Sequence, residues 1–302
     1  MRVRADIECS YDRRMQASDT GAQGRILVTG ASGYLGRELL AQARAAGPDA
    51  TGTHHTNATA DVSLDVCDSA AVDDLMARIR PGAVVHTAYL QGGDRMRQVN
   101  VNGAAHVAAA AARHGARLIH LSTDFVFDGE LGRPYREDDP PGPVNDYGTS
   151  KLDGERAVLE AHGDALVVRT SLIYAGPQPG AAERMVLDAL AGRADVAFFE
   201  DELRSPVACG DLAAALLELA ALPQNGLLHL AGPEPVSRLE FGRLIAAHHG
   251  ADPAGLRAGR SADRAARRPL DCVLDSSRAY RLLRSPVRGV GAVLTSQRRG
   301  AL

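Results

Sequence analysis

The sequence predicts an α/β fold: a doubly wound parallel sheet with helices on both faces, followed by a smaller C-terminal lobe. Three observations carry this. Short apolar runs of strand length alternate with helix-length amphipathic stretches through the first half of the chain. A glycine-punctuated turn joins the first such run to the first helix. A tyrosine and a lysine, Tyr147 and Lys151, stand four residues apart at the head of a later helical segment.

The chain has 302 residues, of which 45% are hydrophobic, enough for one large α/β domain or two unequal lobes. A net charge of -3 offers no basic field for nucleic acid. The longest apolar runs are short, interrupted and rich in Ala and Leu, so no membrane span is expected. Four cysteines, Cys9, Cys67, Cys209 and Cys272, lie far apart without a Cys-x-x-Cys pair. They read as reduced thiols of a cytoplasmic protein rather than a zinc site, and no metal is expected. Residues 1–24 are polar and without periodicity and read as a mobile extension.

From Arg25 the pattern sharpens. Ile26-Leu27-Val28 is a strand-like run, Thr29-Gly30-Ala31-Ser32-Gly33-Tyr34-Leu35-Gly36 a turn, and 37–46 a helix closed by Gly47-Pro48. Gly30 and Gly33 let the backbone turn tightly toward a pyrophosphate, Gly36 lets helix pack on strand, and the helix N-terminus attracts the anion. This is the plan of a Rossmann dinucleotide-binding unit, though the spacing is Gly-x-x-Gly-x-x-Gly. A second strand, 50–53, runs into His54 and His55 with no acid to hold ribose hydroxyls, which favours NADP over NAD, and no arginine stands at that point either. A short strand at Leu64-Asp65-Val66, a helix over Ser69–Ile79, a buried-type strand over 83–87, an alanine-rich helix and a strand ending in Ser122-Thr123 continue the alternation. Ligands in such sheets bind outside the carboxyl ends of the strands, where Thr123 falls.

Four residues apart on a helix, Tyr147 and Lys151 share a face. A phenol with an ordinary pKa of about 10 needs help at neutral pH, and a neighbouring ammonium lowers it. Of 34 lysines and arginines, Lys151 is the only lysine. Arginine cannot act as a tunable ammonium, so this position calls for lysine chemistry.

With the glycine turn, Leu-Ser-Thr-Asp-Phe-Val-Phe-Asp-Gly (121–129), Tyr-Gly-Thr-Ser-Lys-Leu-Asp-Gly-Glu (147–155), Val-Arg-Thr-Ser-Leu-Ile-Tyr (168–174) and Arg-Pro-Leu-Asp-Cys-Val-Leu-Asp (268–275) in view, the chain resembles an extended short-chain dehydrogenase/reductase. More narrowly it is similar to the dTDP-4-dehydrorhamnose reductase branch over residues 25–285. The resemblance implies Thr123, Tyr147 and Lys151 as the catalytic trio, supported by Asn100. It implies Gly30, Ser32, Gly33, Tyr34, Leu35 and Gly36 around the pyrophosphate, Asp65 and Val66 at the adenine, His54 at the ribose, and Ala88 and Tyr89 at the inner nucleotide. The cofactor implied is NADPH, with NADH the alternative. The reaction implied is hydride delivery to C4 of a dTDP-linked 4-keto-6-deoxy sugar, with Tyr147 giving the proton and Lys151 lowering its pKa.

The substrate side would draw on Asp124, Phe125, Leu172, Arg204 and Arg268. Leu172 stands where the branch commonly has a tryptophan that meets the sugar, which leaves the sugar open between that of the rhamnose pathway and another 4-keto-6-deoxyhexose. Phe125 follows Thr123-Asp124 where sugar-nucleotide dehydratases resemble Thr-Asp-Glu, which disfavours dehydration. Two alternatives share the fold: a regulatory subunit resembling that of methionine adenosyltransferase, and a sugar-nucleotide epimerase. Residues 25–176 are expected to form the dinucleotide domain and 177–302 mainly the substrate lobe, with a loop over 195–204, with 205–232 returning to the sheet, and with Arg204, Arg267 and Arg268 as candidates for the diphosphate of the nucleotide sugar. Expected partners are the nucleotide sugar and, as a homodimer, a second copy of the chain, with no nucleic acid and no membrane.

Overall fold

A computed structural model describes residues 24–47, 49–261 and 268–296. The expected N-terminal extension, but for Gly24, therefore lies outside the described residues, as do Cys9 and Arg267. The central sheet has seven strands, every pairing parallel. In chain order they are β1 (Arg25–Thr29), β2 (Asp49–His54), β3 (Val62–Ser63), β4 (Ala83–His86), β5 (Arg117–Thr123), β6 (Leu166–Thr170) and, after a long excursion, Gly226–His229. That last strand pairs with β6 at the sheet edge, giving the spatial order (Gly226–His229)-β6-β5-β4-β1-β2-β3. The order reverses between β1 and β4, which opens a crevice at their carboxyl ends.

Strand residues buried on both sides explain the near-continuous apolar runs. Helix α1 (Tyr34–Ala45) packs with the later helix Cys209–Ala220 on Val28, Val85, Ile119 and Val168. Helices α2 (Ser69–Ile79), α3 (Ala104–Arg113) and α4 (Asp146–Ala161) cover Leu27, Val84, Leu118 and Val167 on the opposite face. Asn145 caps α4 by accepting from Gly148 N–H. At Gly148 itself a Cβ would lie 2.2 Å from the Phe125 carbonyl oxygen, so glycine lets the helix head seat against the strand end.

Two expectations shift. The short strand expected at 64–66 is instead β3 at Val62–Ser63, because Asp65 and Asp68 bend the chain there: Asp65 accepts from Cys67 N–H, and Asp68 caps α2. The stretch expected as a loop before Arg204 contains two short strands, β8 (Phe198–Phe199) and β9 (Leu203–Arg204), numbered after β7 (Ile173–Tyr174). Their partners lie far along the chain, Ala258–Gly259 and Val236–Ser237, so no local pattern announced them. The smaller lobe buries Tyr174, Val186, Phe198, Phe241, Ile245 and Val293 under helices α5 (Ala181–Leu190), Arg238–His248 and Val290–Ser296.

Candidate active site

At the crevice the backbone itself forms a cradle. Gly30 has φ +74°, and a Cβ there would sit 2.7 Å from Ala88 N, so Ala88 closes the far wall of the turn. At Gly36 a Cβ would approach the Gly30 carbonyl oxygen to 2.3 Å, which any other residue would have to push aside. Gly33 then starts α1 with no side-chain cap, leaving helix N–H groups for an anion. Bare amides around a turn kept clear of side chains fit the pyrophosphate of a dinucleotide. Ser32 and Gly33 lie on the rim, whereas Leu35 is buried in the core and offers only its backbone. The Tyr34 hydroxyl turns away to the smaller lobe, donating to Glu183 Oε2 at 2.9 Å and accepting from Gly176 N–H at 2.7 Å. Its side chain ties the two lobes together rather than reaching into the turn.

Arginine, missing from the end of β2 in the sequence, arrives there in space. Arg95, from the loop after β4, donates to Asp65 Oδ2 at 2.6 Å and lies 3.2 Å from His55 Nε2. That ion pair holds the Asp65 carboxyl below its ordinary pKa together with the Cys67 N–H bond, against a desolvation that acts the other way. His54 ends β2, while Val66 is buried beneath Gly103. Arg95 carries no local signal, because the two partners that place it at the end of β2 are 30 and 40 positions away.

Thr123, Tyr147, Lys151 and Asn100 converge at the ends of β5 and α4. Thr123 is buried, and its hydroxyl is near enough to the Tyr147 phenol to lower the phenol's pKa. Burial outweighs this, with the neighbouring Tyr89 and Asp124 adding to it, and the Tyr147 pKa is raised well above its ordinary value. The expected direction is thus reversed, and geometry gives the reason. Lys151 Nζ donates to the Leu121 carbonyl at 2.8 Å and lies 5.8 Å from the centre of the Tyr89 ring, and it is not among the groups that move Tyr147. Burial lowers Lys151 itself to about 8, partly opposed by Glu155 one turn along. Asn100 sits in a wide, π-type turn over Gln98–Gly103 that swings it inward. Its amide accepts from Leu90 N–H and donates to the Leu90 carbonyl and to Ser150 Oγ, fixing the loop that carries Tyr89 to the head of α4.

On the other side of Tyr147 stands Phe125, its ring edge-on to the phenol at 5.8 Å. The guanidinium carbons of Arg204 and Arg268 lie 5.2 and 5.7 Å from the centre of that same ring. Two residues expected to meet substrate are instead built into the floor. Asp124 is 2% exposed and accepts from Ser171 Oγ at 2.6 Å and Thr123 Oγ1 at 3.1 Å. Arg204, 1% exposed, donates to the carbonyls of Leu203, Leu270 and Pro269 and has Nε 3.7 Å from Asp124. With its donors committed, it cannot also clamp a diphosphate. Leu172 is half-buried against the core of the smaller lobe. Arg238 is a residue the sequence did not single out: it is buried, and its Nη1 has no hydrogen-bond partner among the described residues. Among the described residues no cluster of His, Cys, Asp or Glu could hold a metal, and no helix is long and apolar enough to cross a membrane.

The arrangement has close counterparts. A family profile described as RmlD substrate binding domain matches residues 24–292. The dTDP-4-dehydrorhamnose reductase of Streptomyces griseus is 39% identical over 293 residues, covering 90% of this chain and 92% of its own. That of Mycobacterium tuberculosis is 39% identical over 255 residues, covering 80% and 81%. A crystal structure of dTDP-4-dehydrorhamnose reductase from Bacillus anthracis in complex with NADP superposes with a TM-score of 0.79 at 24% identity, over 91% of this chain and 98% of that one. The chain belongs to the dTDP-4-dehydrorhamnose reductase family, oxidoreductases of deoxysugar biosynthesis.

Proposed function

We propose that the protein reduces the 4-keto group of a dTDP-linked 6-deoxy sugar with NADPH. The observation that carries this reading is the meeting of Thr123 and Tyr147 at the strand ends next to the side-chain-free glycine turn, with Lys151 buried one helical turn behind the tyrosine. When bound, NADPH supplies the hydride. Everything else falls to the chain. A sugar ketone placed over Phe125 meets the hydroxyls of Thr123 and Tyr147, which hydrogen-bond the oxygen as charge develops on it. Reduction needs a proton donor, and a tyrosine whose burial keeps it protonated is one at every physiological pH. Developing charge on the sugar oxygen, rather than a pre-formed phenolate, then draws the proton across. Lys151, still mostly an ammonium at pH 7, offers its remaining N–H donors to a ribose.

Arg95 supports the choice of phosphate-bearing cofactor. A cation at the end of β2, where the adenosine ribose lies in this class of fold, favours a 2′-phosphate over a bare hydroxyl. Mixing the purified protein with NADPH and a panel of dTDP-4-keto-6-deoxyhexoses, and following cofactor absorbance, tests the whole reading. Oxidation of NADPH by at least one isomer is expected. Tight NADPH binding with no oxidation by any isomer would discard it and return the regulatory alternative, which leaves Thr123 and Tyr147 without a task.

A further inference from the structure

Tyr147, Lys151 and Glu155 recur at four-residue intervals along α4, on the face that meets β5. Three consecutive residues of β5 receive them. The Leu121 carbonyl accepts from Lys151 Nζ, Ser122 Oγ donates to Glu155 Oε1, and Thr123 stands beside Tyr147. Ser122 is paired in register with Arg169 of β6, whose Nε and Nη2 donate to Glu155 Oε1 and Oε2 at 3.0 and 2.7 Å. The Arg169 guanidinium carbon lies 5.1 Å from the centre of the Phe127 ring. Ser122, Lys151, Glu155 and Arg169 are all buried.

The proposed chemistry makes no use of Glu155 or Arg169, yet burying an ion pair costs desolvation that the pairing itself often fails to recover. Apolar contact is supplied on the same helix by Leu152 and Val158. Such a pair earns its place where it fixes a register or holds a charge, and Lys151 has need of the second. Its Nζ donates to one carbonyl among the described residues, and burial drives it toward the neutral amine. Tyr147 on its own helix, Tyr89 after β4, His86 in β4 and His120 in β5 all face it. Burial keeps both phenols protonated and both imidazoles neutral, so none of these four balances an ammonium. Glu155 is the charge that acts in its favour, and Arg169 is not among the groups that move it.

From this ladder we infer that Glu155 is a positioning residue of the reaction: clamped by Ser122 and Arg169, it sets α4 in register on β5 and is the counter-charge that lets a buried lysine remain an ammonium behind Tyr147. The inference rests on the reductase reading above and deepens it.

Because Lys151 is the only lysine of the chain, the whole protein labelled with carbon-13 at lysine Cε gives one lysine resonance, whose pH titration by NMR reports this amine directly. Wild type should titrate near 8. Glu155→Gln combined with Arg169→Met removes both members of the pair and strands no buried charge. In that variant the midpoint should fall by about one unit, because the nearby anion is gone. The alkaline limb of turnover should move down with it, so the deficit against wild type shrinks as pH is lowered. A merely structural pair would lower Tm and cut turnover alike at every pH, with the lysine midpoint in place. A midpoint within about 0.2 units of wild type in the folded variant overturns the inference. If that variant does not fold, Glu155→Gln with Arg169→Gln, which keeps hydrogen-bonding groups at both positions, is read by the same criterion. A wild-type midpoint at the ordinary lysine value of about 10.4 also overturns it, since no burial cost is then left to offset. A wild type that shows these shifts but reduces no sugar sinks the reductase reading alone. One that reduces a sugar while the midpoint stays fixed in the variant sinks only this inference.

Discussion

The two ends of the crevice are made of different material. At the cofactor end the working surface is backbone: a turn cleared of side chains by Gly30 and Gly36, walled by Ala88, and opening onto helix amides. At the substrate end it is charge, most of it buried: Asp124, Glu202, Arg204, Arg238 and Arg268, drawn from four separate segments of the chain. Backbone sterics are encoded locally, and a side chain added to the turn fails for a reason visible in a few consecutive residues. A charge cluster exists only once the fold has brought its members together. Substitutions at the first end should therefore cost fold and cofactor together, and those at the second should cost substrate alone.

Tyr147 lies on the boundary, and its removal should give the largest effect. Tyr147→Phe loses only the phenolic oxygen, so turnover should fall roughly 10²- to 10⁴-fold while NADPH affinity stays nearly unchanged. Wild-type turnover in this variant would mean that another group donates the proton. Next comes Gly36→Ala, whose Cβ meets backbone atoms of Gly30 and Ala31 at 2.3 and 2.8 Å, neither of which can swing aside as a side chain can. A loss of about 3 kcal/mol in stability is expected, read as a lower Tm, with NADPH binding weakened in parallel. A Gly36→Ala protein with unchanged Tm and intact binding would show that the turn has slack the geometry denies, and the contrast between the two ends would lose its basis.

How much of this was legible follows the same division. The alternation of runs, the glycine turn and the Tyr147–Lys151 spacing all act within a few residues, and most elements they implied lie within three residues of their expected place. The short strand near Asp65 slipped because two aspartates bent the chain by side-chain bonds that periodicity does not register. The roles expected of Arg204 and Asp124 did not survive, since a sequence shows that a charge is present but not that it is 1% or 2% exposed and already bonded. Arg238 and Arg95 escaped notice for the complementary reason. An arginine in a helix start or a polar loop is the commonest kind of surface charge until the fold places it beside Glu202 or His55. Arg95 also tests the cofactor end from its one side-chain contribution. Arg95→Gln should weaken NADPH binding about tenfold and leave NADH nearly untouched, by direct titration of each. Equal losses for both cofactors would show that Arg95 merely braces Asp65.

The smallest effect at neutral pH concerns Lys151, whose burial beside the sheet is shared by both ends. Its neighbours His86 and His120 stack at 5.2 Å and stay neutral, burial holding His86 down to about 3 and His120 likewise far below its usual value, with Lys151 adding to both. No imidazolium therefore competes with the ammonium. With the lysine pKa lowered to about 8, turnover should be flat below that pH, halve near it and decline above it as the ammonium is lost. The stability effect has the opposite sign. Below about 8 the lysine is protonated in both folded and unfolded chains and its burial is a constant cost. Above it the folded lysine releases its proton while the unfolded one holds on until about 10.4, so the cost is relieved as pH rises. Comparing Tm of wild type and Lys151→Met between pH 7 and 10 isolates this contribution, because the other titrating groups are common to both. The wild type should gain on the variant across that window. Parallel curves would place the lysine pKa near its ordinary value, and with it would go the claim that this side chain is held, half-ready to lose its proton, behind the tyrosine.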